Sequence, residues 1–153
     1  MTQTTQEIVI TRVFDAPREL VYRAFTDPDQ LAQWFAPVGC SVPRETVELD
    51  VRPGGHERMV MVKDDDPSFR EPMDSVYTEV IENELLVSYQ KIEDMPGAEG
   101  LTRWDVRIEF HEEPGGKTRL EMRLAAFGEQ MDRELREGWE SSFTKLDKLL
   151  HAG

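Results

Sequence analysis

The chain has 153 residues, 39% of them apolar and 32% charged, with a formal net charge of -13. That size suits one domain with its own core, and the composition excludes a disordered chain. A surface this acidic repels phosphate backbones and anionic lipid, and no apolar run reaches spanning length, so neither nucleic acid nor membrane insertion is expected. The polar start Met1-Thr2-Gln3-Thr4-Thr5-Gln6 lacks the segments of a secretion signal, and Cys40 is the one cysteine. A cytoplasmic protein without a disulfide is the expectation, with Cys40 an ordinary semi-buried residue.

Glu7 to Phe14 alternates as a strand. Asp15-Ala16-Pro17 then opens a short helix with Leu20, Val21, Ala24 and Phe25 as its apolar face. Asp27-Pro28-Asp29-Gln30 starts a second short helix. Asp27 is its natural N-cap, Pro28 suits the first turn, and Leu31, Trp34 and Phe35 form its apolar side. Pro37 ends it.

A run of strands follows: Glu45–Arg52, His56–Lys63, Ser75–Ile81, Leu85–Ile92, Arg103–Phe110 and Thr118–Ala126. Pro53-Gly54-Gly55 and Glu113-Pro114-Gly115-Gly116 are tight turns, Asp64 to Pro67 a charged turn, and Glu93 to Gly100 a polar loop. Trp104, Val106, Ile108 and Phe110 alternate with Arg103, Asp105, Arg107 and Glu109, which marks one dry and one wet face. Leu120, Met122 and Leu124 alternate in the same way. The last element is one long helix from about Glu129 to Leu150. Met131, Leu135, Trp139, Phe143, Leu146 and Leu149/Leu150 form its apolar stripe. Gly138 and Ser142 sit on or beside that stripe, where small groups leave room beneath the helix or permit close packing.

Several segments carry a family resemblance. The stretch from Arg12-Val13-Phe14-Asp15-Ala16-Pro17 through Thr26-Asp27-Pro28 resembles the opening motif of the family named after the activator of the heat-shock protein 90 ATPase. Trp34-Phe35-Ala36-Pro37 resembles its Trp-Trp-Gly-Pro segment. Asp50-Val51-Arg52-Pro53-Gly54-Gly55 resembles its Asp-Leu-Arg-Pro-Gly-Gly turn, and Glu137-Gly138-Trp139 to Leu150 its C-terminal helix. The resemblance implies an α+β helix-grip fold of the START and Bet v 1-like type, as a single domain over residues 1–153. A curved antiparallel sheet of six or seven strands would grip the last helix, and a cavity can remain between them. Such folds host many functions, so the fold alone names none.

On strand 56–63, period two puts Glu57, Met59 and Met61 on one face and His56, Arg58, Val60 and Val62 on the other. The residues leave open which face is inside; the resemblance turns Glu57 inward. An inward carboxylate costs several kcal/mol unless it is paired, hydrogen-bonded or protonated. Tyr89 or an arginine is the expected partner, and the alternative is a Glu57 at the sheet rim in water. Glu57, Met59, Met61, Tyr77, Tyr89, Trp104, Trp139, Ser142 and Phe143 are the candidate ligand-binding residues. Ser88 and Gln90 either wet the interior or face solvent.

The leading reading is a module that holds a hydrophobic or amphipathic small molecule between sheet and helix. A regulator of a heat-shock-protein-90-type chaperone is one alternative. A cyclase-like or hydrolase-like enzyme with Glu57 as acid or base is another. No catalytic residue is assigned otherwise, no cofactor is expected, and pairing with a second copy of the chain stays open. His56, His111 and His151 are too dispersed in sequence to suggest a metal site.

Overall fold

The computed structural model describes residues 6–91, 103–126 and 128–152. The elements in chain order are β1 (Gln6–Phe14), α1 (Arg18–Thr26), α2 (Pro28–Trp34), β2 (Cys40–Ser41), a 3-10 turn (Arg44–Thr46), β3 (Glu48–Leu49), β4 (His56–Lys63), β5 (Asp66–Ile81), β6 (Leu85–Lys91), β7 (Arg103–Glu113), β8 (Lys117–Ala126) and α3 (Glu129–Ala152). The sheet runs β1-β8-β7-β6-β5-β4-β2, with β3 as a further short partner of β4. Every pairing is antiparallel. It is a curved, half-barrel sheet closed over a long C-terminal helix, the expected helix-grip arrangement.

The dry face of this sheet and the stripe of α3 meet in one core. Phe14, Leu120, Met122, Phe143 and Leu146 are all fully buried in it. Phe143 of α3 meets Phe14 of β1 edge-on at 5.6 Å between ring centroids. Burying side chains of this size contributes roughly 1.5–3 kcal/mol each. Trp34 sits in the same cluster, and its Nε1 donates to the Ala24 carbonyl at 2.8 Å, so the buried indole N–H is satisfied. Asp27 both ends α1 and caps α2: its carboxylate accepts the Asp29 N–H at 2.9 Å. The two short helices are thereby joined at one residue. On the outer face, Arg107, Glu109, Glu121 and Arg123 form a charged ladder.

Three local expectations need correction. The expected strand Glu45–Arg52 is instead a 3-10 turn followed by two strand residues. The Thr46 hydroxyl donates to the Pro43 carbonyl at 2.7 Å and accepts the Val60 N–H at 3.2 Å. A side chain thus takes a place that backbone pairing would have held. Conversely, β5 begins at Asp66, nine residues earlier than Ser75, because Met73, Pro72 and Arg70 pair with Met59, Val60 and Val62 of β4. Pro72 is tolerated there because β6 pairs with β5 only from Ser75 onward among the described residues. Leu20, expected on the buried face of α1, is 42% exposed; Tyr22 is buried in its stead. The polar loop Glu93 to Gly100 lies outside the described residues.

After α2 the chain turns sharply at Ala36, whose φ of 98° is in the left-handed region that a Cβ disfavours. This is the position of the glycine in the family's Trp-Trp-Gly-Pro segment. The following loop is pinned to α3. The Ser141 hydroxyl accepts the Val38 N–H at 2.8 Å, and Lys145 Nζ donates to the carbonyls of Cys40 at 2.8 Å and Pro37 at 3.3 Å. The strained turn therefore stands at a fixed place beside the last helix.

Candidate functional site

Between the concave sheet face and α3 lies a cavity of about 250 Å³. Its floor is built by alternate residues of successive strands: Glu57 and Met61 from β4, Met73, Ser75 and Tyr77 from β5, Leu86, Ser88 and Gln90 from β6, and Trp104, Val106 and Ile108 from β7. Its roof is Glu134, Leu135, Gly138, Trp139 and Ser142 of α3. Phe35, Ala36 and Pro37 close one side. The wall is mostly apolar, with a few polar groups set into it, as in small-molecule sites generally.

Glu57 points inward. It pairs across the ladder with Ser75, which makes Tyr77 its diagonal neighbour on the same face. The Tyr77 hydroxyl donates to Glu57 Oε2 at 3.0 Å. Among the described residues no other hydrogen-bond donor reaches this carboxyl. Glu57 keeps partial exposure through the cavity, while protein crowds it elsewhere. Burial penalises the charged form and pushes its pKa up to about 7; the Tyr77 hydrogen bond works the other way and only partly offsets that. Tyr77 itself is pushed up, first by burial and then by the Glu57 charge.

The Pro53-Gly54-Gly55 turn positions this pair. Gly54 N–H donates to the Tyr77 carbonyl at 2.8 Å, and Tyr77 N–H donates to the Gly55 carbonyl at 3.0 Å. A Cβ on Gly55 would stand 1.9 Å from the Asp50 carbonyl oxygen, so only glycine fits. A register shift follows in β5 between Tyr77 and Glu79. It lets Tyr77 face the cavity while Val80 pairs with Leu86 further along.

The candidate ligand-binding residues divide into two groups. Glu57, Met61, Tyr77, Trp104, Trp139 and Ser142 are brought together on the cavity wall. Met59 and Phe143 are buried in the core behind it, 2% and 0% exposed, and do not line the cavity. Tyr89 is a correction. Leu86, Ser88 and Gln90 take the inward positions of β6, so Tyr89 points out, where the Arg103 guanidinium lies over its ring at 4.0 Å. It cannot partner Glu57, and Tyr77 fills that role. Ser75, Met73, Leu135 and the Phe35–Pro37 segment join the wall without being expected there. Ser75 is detectable only through its register with Glu57, and Leu135 through its place in the stripe of α3.

Among the described residues one group could offer three donor atoms to a metal ion: Glu109, His111 and Glu121, with those atoms within 4.8 Å of one another. Both carboxylates are already engaged by arginines. Arg107 donates to Glu109 at 2.8 Å, and Arg119 and Arg123 flank Glu121 at 3.8 and 3.5 Å. The Arg107 hydrogen bond holds the Glu109 pKa down. We read the group as an outer-face ion-pair network. No helix is long and apolar enough to cross a membrane among the described residues.

A family model described as Activator of Hsp90 ATPase homolog 1-like protein matches residues 15–151. Among solved structures, the chain is similar to a protein from Chromobacterium violaceum, with 26% identity, 94% of this chain and 96% of that one covered, and a TM-score of 0.78. It is similar also to a protein from Nitrosomonas europaea, with 25% identity, coverage of 95% and 94%, and a TM-score of 0.76. A solution structure from Staphylococcus epidermidis is 22% identical, with coverage of 99% and 93% and a TM-score of 0.77, and supports the fold alone. No curated protein matches the chain.

Proposed function

The chain belongs to the Activator of Hsp90 ATPase homolog 1-like family, and on that premise we propose that it is a binding module for a compact, hydrophobic or amphipathic small molecule held between the sheet and α3. The observation that carries this reading is the space beneath Gly138. This glycine lies in the middle of the long helix, on the cavity roof, and a Cβ built there meets nothing within 4 Å. A glycine inside a helix costs about 1 kcal/mol relative to alanine. Close packing does not require it here, so the room it leaves is the feature to explain. The volume of about 250 Å³ lies just below the roughly 300–1,000 Å³ usual for ligand pockets. It suits a compact molecule better than a long lipid chain.

Nile red, a neutral apolar dye, tests the proposal. The protein should bind it saturably with a rise in fluorescence. Gly138→Leu should fill the roof and abolish that binding while raising helix stability by about 1 kcal/mol. Equal binding by both proteins would place the dye elsewhere and remove the reading. Action on a heat-shock-protein-90-type chaperone is the second reading. It rests on the family's description, whereas the cavity is a property of these residues. An acid–base reaction at Glu57 is the enzymatic reading. It predicts that Glu57→Gln stops turnover of a bound molecule without releasing it. We place the protein in the cytoplasm, since a single cysteine fits a reducing compartment.

A further inference from the structure

We infer that the molecule held in this cavity carries a positive charge on an apolar body, an arylalkyl or alkyl ammonium, and that Glu57 receives the charge. The inference rests on the cavity-binding reading and adds the ligand's chemical class. The geometry supplies three supports. First, Glu57 offers its carboxyl to the cavity with one hydrogen bond, 3.0 Å from the Tyr77 hydroxyl. The described residues provide no other donor, so a lone pair remains for a guest. A carboxylate so placed is costly until an opposite charge arrives.

Second, the wall carries no internal cation that could serve as that charge. None of its lining residues is Lys, Arg or His. The residues outside the described set, 1–5, 92–102, 127 and 153, contain no Lys, Arg or His either. Lys145, the basic residue nearest the Pro37 side, is engaged by the carbonyls of Pro37 and Cys40. Third, the rest of the wall suits the two halves of such a guest. Trp104, Trp139 and Phe35 present rings that attract both apolar groups and cations. Glu134 adds a second carboxylate from the exposed side of the roof. An anionic guest would face two carboxylates and no counter-charge. A neutral guest would leave Glu57 uncompensated.

Calorimetric titration at pH 8 with phenylbutylamine, phenylbutanol and phenylbutyrate separates these cases, since the three share one apolar body. The amine should bind at least tenfold more tightly than the alcohol, and the acid more weakly than either. Glu57→Gln should bring the amine to the affinity of the alcohol, and a circular dichroism spectrum matching that of the native protein shows that the variant is folded. The titratable groups at the site are Glu57 on β4, Tyr77 on β5, Glu134 on α3, and Tyr22 of α1 behind Tyr77. Burial lifts Glu57 to about 7, which places its change of charge between pH 5.5 and 8. Amine affinity should therefore fall about tenfold between pH 8 and pH 5.5 in the native protein and hold steady in Glu57→Gln.

Alcohol or acid binding as tightly as the amine would overturn the charge inference and leave the cavity reading standing. So would binding of Nile red with no binding of the amine. An amine preference that survives Glu57→Gln but is lost in Glu134→Gln would overturn the role of Glu57. Undiminished binding of all three compounds by Gly138→Leu would overturn the cavity reading itself.

Discussion

Glu57 is the residue at which the fold and the candidate site oppose each other. Its carboxyl rises from an ordinary 4.5 to about 7 on folding, burial being the larger cause. The native state therefore holds the proton more tightly than the unfolded chain. Stability is unaffected below about pH 4.5, where both states are protonated, and is lost as pH rises through the window from 4.5 to 7. Above pH 7 the loss amounts to about 3 kcal/mol, since each tenfold change in proton affinity is worth about 1.4 kcal/mol. Glu57→Gln keeps the shape and removes the titration. Urea denaturation should find it more stable than the native protein by up to about that amount at pH 8, and equal to it near pH 4.5. A constant difference at both pH values would place the ionisation of Glu57 outside the stability balance. The parity of this strand was legible in the sequence, but the identity of the partner was not. Tyr77 and Tyr89 both sit on strands with inward and outward options. What decides between them is the pairing of β5 with β4 and β6, a long-range fact that local alternation does not carry.

At the scale of elements, the turn Asp50–Gly55 shows how a connection controls the site. It closes with Gly55 N–H donating to the Arg52 carbonyl at 2.8 Å, and two further backbone hydrogen bonds fasten it to Tyr77. Gly54 and Gly55 are glycines for different reasons. Gly54 has a φ of 85° and open space around it, whereas a Cβ on Gly55 would collide with the Asp50 backbone. Gly54→Ala should cost about 1–2 kcal/mol, the left-handed penalty alone. Gly55→Ala should cost on the order of 3 kcal/mol or more, because backbone must move, and should also displace Tyr77. Chemical denaturation ranks the two, and the reverse ranking would refute the steric argument. The elements best read from sequence are those where local pattern and tertiary pairing agree. β7 and β8 alternate cleanly because one face is core and the other is solvent. Of the segments misread, 45–52 alternates Val47, Leu49 and Val51 with Glu48, Asp50 and Arg52, yet only Glu48–Leu49 pairs as strand, whereas 66–74 carries two prolines and scattered charge that conceal a real strand. There the pairing with β4 and the Thr46 hydroxyl decide the structure.

For the whole molecule, the governing quantity is the net charge of -13. A chain of this length has a radius of gyration of about 15 Å when folded. At about 0.01 M salt the screening length is about 30 Å, so its carboxylates repel one another across the entire molecule; at about 0.15 M it shrinks to about 8 Å and only neighbours interact. Unfolding relaxes that repulsion, so added salt should raise the melting temperature over this range. The same field draws cations toward the protein, and Glu134 on the exposed side of the cavity roof carries it to the site. Association of phenylbutylamine should therefore slow over the same salt range, while phenylbutanol should be indifferent to it. Stopped-flow tryptophan fluorescence measures both, with Trp104 and Trp139 on the cavity wall as reporters. Salt would then strengthen the fold and slow its cationic guest at once. An amine on-rate that ignores salt, beside a melting temperature that follows it, would show that the acidic surface serves the molecule's solubility and has no part in delivering its ligand.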